Sequence, residues 1–189
     1  MPAAAAAKVV ASSSFLATAV SVGALRHRFG RVVFAGLLLS MAGDLFLIGQ
    51  SQRFFLFGLC SFLLAHIAYI TAFVSHGQDR RWVLAAAVPG VIAAILVGVW
   101  LGPHVSPELV APVHVYIAAI TLMVITAFGA RGAGASRLLV AGALMFFVSD
   151  LSVAMQRIVE TDFPTIIWGV PLYYSGQLCL ALGAASPDR

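Results

Sequence analysis

The chain has 189 residues, of which 61% are hydrophobic and 10% are charged, and its mean hydropathy is +1.01. Soluble domains carry far more charge, so this composition excludes a soluble globular protein and indicates an integral membrane protein. The net charge of +4 does not indicate nucleic-acid binding, because the basic residues are single or paired and lie at the ends of apolar segments.

Seven apolar segments follow one another along the chain, each near or above the ~20 residues that a helix needs to cross the hydrocarbon core. They are continuously apolar, whereas the strands of a transmembrane β-barrel alternate, so a barrel is excluded. We expect an all-α polytopic transmembrane bundle forming one integral-membrane domain, residues 1–189. Its helices are predicted near 8–25, 31–50, 53–75, 82–102, 109–130, 137–157 and 164–185.

The first segment is predicted to be a retained helix, because no clean signal-peptide cleavage site follows it. Basic residues are distributed unequally between the two ends of the predicted helices. One end carries Arg26, Arg28, Arg31, Arg80, Arg81, Arg131, Arg137 and Arg189, and the other carries Lys8, Arg53 and Arg157. The positive-inside rule therefore predicts a cytoplasmic C-terminus and an external N-terminus. We expect the protein in the plasma membrane.

Two of the seven acidic residues, Asp44 and Asp150, lie inside apolar segments, and the others fall between segments or near the C-terminus. A charged side chain at the centre of a membrane helix costs roughly 2.5–3.5 kcal/mol on insertion scales, so both aspartates are candidate functional residues. The alternative is that each carboxyl group has only a structural role and forms a hydrogen bond with a nearby hydroxyl group. Ser40, four residues before Asp44, could be such a partner within the same helix.

The two aspartates occupy matching positions in the second and sixth helices. Arg31 precedes Asp44 by thirteen residues, and Arg137 precedes Asp150 by thirteen. Each helix leads to a further arginine and then to a returning helix with polar groups. The pattern predicts a parallel repeat of three helices, a linker helix and three more, although chance similarity between apolar helices remains an alternative. If the two helices pack together, both acids face one cavity.

Other polar residues lie near these aspartates or on the returning helices, and they are candidates to support the site or bind substrate. His66, the tyrosines and Gln177 could equally be interhelical hydrogen-bonding groups. The two arginines could be ordinary anchors at the membrane interface or contacts to a phosphate. The supporting candidates are Ser40, His66, Tyr69, Ser149, Tyr173, Tyr174, Gln177, Arg53 and Arg157.

Motifs for other chemistry are weak. The five histidines lack the H-x-x-x-H and H-E-x-x-H spacings of zinc sites, and only His66 and His114 fall well inside apolar segments. A zinc hydrolase would need an aspartate as third ligand. A serine hydrolase could use Ser40 with His66, but no spacing favours it. We therefore expect no metal and no cofactor.

Several motifs follow one another in a fixed order along the chain. They are Ser40-x-x-Gly43-Asp44, then Arg53-Phe54-x-x-x-Gly58, Phe62, His66, Tyr69 and Phe73, then Tyr116 and Met123, then Gly142-Ala-Leu-x-Phe146-x-x-Ser149-Asp150-x-x-x-Ala154, and finally Tyr173-Tyr174-x-x-Gln177. Together they resemble the YhhN-like family, which includes the animal lysoplasmalogenases. The resemblance extends from about Lys8 to Ala185, and the order and spacing of the motifs are fairly specific.

The resemblance implies hydrolysis of the vinyl ether bond of lysoplasmalogen, which yields a fatty aldehyde and a glycerophospho-alcohol. Such a reaction protonates the β-carbon and passes through an oxocarbenium ion, so one protonated and one ionised carboxyl group suit it. Two carboxyl groups in a site of low dielectric constant provide that combination, as in glycoside hydrolysis. We expect Asp44 and Asp150 to be the catalytic pair, without assigning which is the acid.

Members of the family usually have an additional helix ahead of the segment that corresponds to Lys8–Leu25. They also often show Lys-Pro where this sequence has Lys8-Val9. We expect the chain to begin at the family's second helix, which leaves the contribution of the first helix in doubt.

Two other classes of function fit the residues. A small proton-coupled transporter would use a carboxylate site near the midplane between two parallel repeats. A structural or lipid-binding protein would use the acids only to orient helices. The expected partner for the hydrolase is a lysophospholipid within the bilayer among other membrane lipids, with no nucleic acid; the sequence does not predict the head group or the oligomeric state.

Overall fold

The computed structural model of the chain describes residues 2–49 and 51–185, with side chains from residue 5. The described residues form seven α-helices. They are α1 Pro2–Ser21, α2 Arg28–Phe46, α3 Gln52–His76, α4 Arg80–Leu101, α5 Val110–Gly132, α6 Arg137–Arg157 and α7 Ile166–Gly183. The expected all-α transmembrane bundle is confirmed. Gln50 and Arg189, which entered the predictions, lie outside the described residues.

Six of the seven helices are long and apolar enough to cross a membrane. The apolar part of α1, Ala5–Ser21, is shorter than these six, yet Phe15 and Ala19 of this helix are fully buried. The helix is therefore held by its contacts with α2 and α7, which bury its apolar face. The protein is an integral membrane protein.

Polar caps and glycine turns set the limits of several helices close to the predicted positions: the caps lie at helix starts and the glycine turn lies after a helix end. Ser51 caps α3 by accepting a bond from the Phe54 amide, and Asp79 caps α4 through the Arg81 amide at 2.8 Å. Gly77 turns the chain between α3 and α4 with φ of 112°, a conformation that favours glycine.

The predicted end of the second helix at residue 50 is wrong by four residues, because α2 ends at Phe46. Beyond Leu47, the Ile48 amide donates to the Leu45 carbonyl and the Gly49 amide donates to the Phe46 carbonyl. These bonds span three residues instead of four, so the chain leaves the α-helix in a tighter turn. Asp44 consequently lies in the last turn of its helix, whereas Asp150 lies within α6.

Two hairpins, α2–α3 and α6–α7, form the most closely packed helix pairs. Glycines permit this approach: a Cβ on Gly36 would lie 2.5 Å from the Tyr69 ring, and a Cβ on Gly142 would lie 2.7 Å from the Gly176 carbonyl oxygen. Small residues at such contacts are typical of membrane helices. The hairpins are joined because α3 packs on α5 and α7 packs on α1.

Helix α4 lies at the edge of the bundle and packs mainly on α5. Only 6% of the residues in the most apolar stretch of this span are buried, against 33–44% in the other candidate spans. Its outward valine, isoleucine and leucine side chains suit contact with lipid. The remaining six helices divide in chain order into two groups of three, α1–α3 and α5–α7; the parallel repeat itself stays a prediction.

Candidate functional site

A cavity of about 200 Å³ lies within the bundle, and side chains from all seven helices line it. Asp44 and Asp150 both face this cavity, and their charges are close enough to interact. The helices that carry them are not a closely packed pair; α2 packs on α3, α1 and α7, and α6 packs on α7 and α5. The cavity, rather than a helix contact, therefore brings the two carboxyl groups together.

Asp44 is held by two hydroxyl donors from different helices. Its Oδ2 accepts a bond from Ser12 Oγ of α1 at 2.6 Å and one from the Tyr173 hydroxyl of α7 at 3.0 Å. The residue is 5% exposed. A buried carboxylate with two such donors has a fixed orientation, and its charge is partly compensated by the hydrogen bonds.

Asp150 is held by one hydroxyl donor. Its Oδ2 accepts a bond from the Tyr116 hydroxyl of α5 at 2.6 Å. The adjacent Ser149 also lines the cavity, but its hydroxyl donates to the Phe146 carbonyl of its own helix at 2.7 Å. Ser149 thus satisfies the backbone of α6 and does not orient the acid.

Aromatic rings pack together at one wall of the cavity, which Phe62 and Tyr173 line. Phe146 packs against Phe62, Tyr173 and His66 with centroid separations of 5.9, 5.4 and 4.8 Å. Tyr173 in turn contacts Tyr174, which also lines the cavity. These rings fix the tyrosine hydroxyls and keep the surroundings of the carboxyl groups apolar, which strengthens charge interactions inside the cavity.

A second polar group of residues lies behind this wall and does not line the cavity. The Tyr69 hydroxyl donates to Gln177 Oε1 at 2.9 Å and lies 3.3 Å from Ser40 Oγ. Ser40 therefore pairs with Tyr69 rather than with Asp44. His66 is fully buried, and neither of its ring nitrogens has a hydrogen-bond partner among the described residues.

The predicted site residues thus divide into two sets. Those that face the cavity are Asp44, Asp150, Ser149, Tyr173, Tyr174 and Arg157. Ser40, His66, Tyr69 and Gln177 are buried behind it, and Arg53 is exposed without lining it. Three residues of the site were not among the predicted candidates: Ser12, which bonds Asp44, Tyr116, which bonds Asp150, and Lys8, which lines the cavity.

The described residues do not bring three metal-binding side chains together. Within residues 2–49 and 51–185, no group of three His, Cys, Asp or Glu side chains could hold a metal ion. His114, on α5, lines a separate groove on the α4 side, and its Nδ1 lies 2.7 Å from the Val110 carbonyl oxygen of the same helix. His66 and His114 therefore do not share a site.

Comparison with known proteins extends these observations, because the sequence profile of the YhhN family matches residues 3–184. The chain belongs to the YhhN family. Among its relatives, human lysoplasmalogenase TMEM86A is 34% identical over 85% of the chain and 68% of the relative. A lysoplasmalogenase of Mycobacterium tuberculosis is 34% identical over 76% of the chain and 58% of the relative. No solved structure matches the chain.

The residues that were missed in this YhhN-family protein carry a spacing signal. Ser12 precedes Asp44 by 32 residues, and Tyr116 precedes Asp150 by 34. Counting back from each acid by about one helical hairpin would have found both donors. Neither residue type attracts attention alone, because serine and tyrosine are common in membrane helices.

Proposed function

We propose that the chain hydrolyses the vinyl ether bond of lysoplasmalogen-type lysolipids to a fatty aldehyde and a glycerophospho-alcohol. One observation carries the proposal: two intramembrane carboxyl groups face the same apolar cavity, each oriented by a hydroxyl donor. The YhhN relatives named lysoplasmalogenases support the reaction class.

The two carboxyl groups differ in a way that suggests separate roles. Asp44 receives two hydroxyl donors and interacts with the charge of Lys8, whereas Asp150 receives one donor. Hydrogen bonds and a nearby cation favour the charged form of a carboxyl group. We therefore assign Asp44 as the carboxylate and Asp150 as the proton donor.

The reaction then balances within this pair. Asp150 gives its proton to the β-carbon of the vinyl ether, and Asp44 stabilises the resulting oxocarbenium ion. Water adds to the carbon that carries the ether oxygen and gives a proton to Asp44. The product of this step is a neutral hemiacetal. Asp44 then protonates the departing ether oxygen while Asp150 takes the hydroxyl proton of the hemiacetal. The aldehyde and the alcohol leave, and both acids return to their first states.

The test uses purified protein in liposomes with an alkenyl lysophospholipid, and it measures aldehyde release in ordinary and heavy water. Carbon protonation predicts one deuterium at the carbon next to the aldehyde group, and both Asp44→Asn and Asp150→Asn lose turnover. Asp162→Asn, in the exposed turn between α6 and α7, is the matched control and retains it. Full activity in either cavity variant contradicts the two-carboxyl mechanism.

A proton-coupled transporter is the second candidate, because the acids lie between two similarly connected groups of helices. Uptake of a solute by the same liposomes, driven by a proton gradient and without aldehyde formation, would favour it over hydrolysis.

The orientation in the membrane is a further part of the proposal. The excess of Lys and Arg at one end of the helices supports a C-terminus on the cytoplasmic side of the membrane. The proposed membrane is the plasma membrane. Cysteine labelling from each side of intact cells at the loop between α3 and α4, expected inside, and at the loop between α6 and α7, expected outside, tests it.

A further inference from the structure

Two cations face the cavity from the end at which α1 begins and α6 ends. Lys8 of α1 and Arg157 of α6 both line it. They are also close enough for their charges to interact with each other, and Lys8 interacts with Asp44 as well. Asp44, Asp150, Lys8 and Arg157 are the charged side chains on the cavity wall within the described part of the chain.

The position of this cation pair relative to the acids is set by the helices. Lys8 lies four residues before Ser12, so it is about 6 Å further toward the end of α1 than the donor to Asp44. Arg157 lies seven residues after Asp150, which is two turns and about 10 Å along the same face of α6. Both cations are therefore displaced from the carboxyl groups in the same direction.

Two cations that approach each other repel, and an anion bound between them removes that repulsion. Asp44 is a poor candidate for this anion, because its Oδ2 already accepts two hydroxyl bonds and it lies deeper in the cavity than the pair. In a lysophospholipid, the three glycerol carbons separate the vinyl ether oxygen from the phosphate ester. That separation is similar to one helical turn, about 5.4 Å.

We infer that Lys8 and Arg157 bind the head-group phosphate of the lysolipid and thereby hold its vinyl ether at Asp44 and Asp150. This inference rests on the proposed function and adds the residues that recognise its substrate: they favour lysolipids with a phosphate on the glycerol over phosphate-free alkenyl glycerols. An arginine and a lysine provide, respectively, a forked and a compact donor to phosphate oxygens.

The experiment compares kcat/KM for an alkenyl glycerophosphoethanolamine with that for the phosphate-free alkenyl glycerol, both presented in the same mixed micelles. In the wild-type protein the phosphate-bearing lipid is preferred. Lys8→Gln and Arg157→Gln each reduce that preference at least tenfold, mainly through a higher KM for the phosphate-bearing lipid, and Arg157→Lys partly restores it. Arg53→Gln, at the same end of the bundle but outside the cavity, keeps the wild-type preference.

Turnover of the phosphate-free lipid shows that each variant is folded, so loss of preference is separate from loss of structure. An unchanged preference in both glutamine variants overturns the inference while leaving hydrolysis intact. An equal loss on both lipids in Arg157→Gln also overturns it. In Lys8→Gln turnover of both lipids falls, because Lys8 also interacts with the charge of Asp44, so the preference ratio is the readout for that variant. Inhibition of the wild type by inorganic phosphate as strong as that by the glycerophospho-alcohol product overturns it in favour of a free-phosphate site. Failure of the wild type to cleave either lipid rejects the proposed function itself.

Discussion

The two groups of three helices, α1–α3 and α5–α7, build similar supports around different acids. In each group the acid lies on the middle helix and accepts a 2.6 Å bond from a hydroxyl on the first helix, Ser12 to Asp44 and Tyr116 to Asp150. In each group the second and third helices form the closest pair, and α3–α5 packing has its counterpart in α7–α1 packing. The architecture around the acids is shared.

The groups differ in what else reaches each acid. Asp44 receives a second donor, Tyr173, from the opposite group, and the charge of Lys8. Asp150 is held within its own group by Tyr116. The two acids therefore lie in unlike surroundings, with more hydroxyl donors and a nearby cation at Asp44 and a single donor at Asp150. Catalysis that needs one acid and one carboxylate requires this difference.

The largest expected effect comes from removing the proton donor. Asp150→Asn keeps the size and polarity of the side chain but cannot supply the proton, so kcat falls about 10²- to 10⁴-fold. The midpoint of thermal unfolding in detergent should change little by comparison. Single-turnover aldehyde release checks the prediction. A higher KM with unchanged kcat would show that Asp150 binds substrate without giving a proton.

The hydroxyl donors give the next effect and test the difference between the groups directly. Tyr116→Phe removes the hydroxyl that orients Asp150 and that stabilises its carboxylate once the proton has left. A hydrogen bond to a charged group contributes about 1.5–3 kcal/mol, so kcat falls roughly 10- to 100-fold. Tyr173→Phe leaves Asp44 bonded to Ser12 and lowers kcat by less, about fivefold, because only the ~1 kcal/mol net contribution of a typical hydrogen bond is lost while the second donor remains. The double variant Ser12→Ala/Tyr173→Phe then loses more than the product of its single changes. Simple multiplication of the single effects contradicts shared support of Asp44.

Helix packing gives a smaller effect that also compares the groups. In Gly142→Ala the added methyl meets the backbone of α7, whereas in Gly36→Ala it meets the buried ring of Tyr69, a side chain rather than backbone. Overpacking costs about 1–3 kcal/mol, and the backbone contact should lie at the upper end. The thermal midpoint falls most for Gly142→Ala, and Gly102→Ala, with nothing within 4 Å, is the neutral control. A larger fall for Gly36→Ala would mean that the α2–α3 pair is the more rigid one.

The smallest effect is expected at Ser40. Its hydroxyl makes a 3.3 Å contact with Tyr69 behind the cavity wall, so Ser40→Ala costs about 0.5–1.5 kcal/mol of stability. Turnover should change less than threefold, as measured on the same lysolipid. A loss approaching that of Asp150→Asn would instead support a serine nucleophile and displace the carboxyl pair.

Much of the fold followed from apolar length, and the errors have local causes. The sixth helix was predicted at its observed limits, 137–157, because Ser136 caps its start and Arg157 ends its apolar run. The end of α2 was missed because no proline or charged residue marks it; a tight turn after Phe46 ends the helix within an apolar run. Ser40 was considered as a partner for Asp44 from its spacing, but the phenol of Tyr69 reaches it from another helix.

The sequence by itself determined that the protein spans a membrane, how many helices it forms and that two acids lie within them. These properties depend on the cost of charge and of unpaired backbone in lipid, which local composition reports directly. The tertiary structure alone decided that Asp44 and Asp150 face one cavity, that Ser12, Tyr173 and Tyr116 orient them, and that Lys8 lines the same space as Arg157. Contacts between helices far apart in sequence fix these relations, and apolar composition is the same whichever face a helix turns inward.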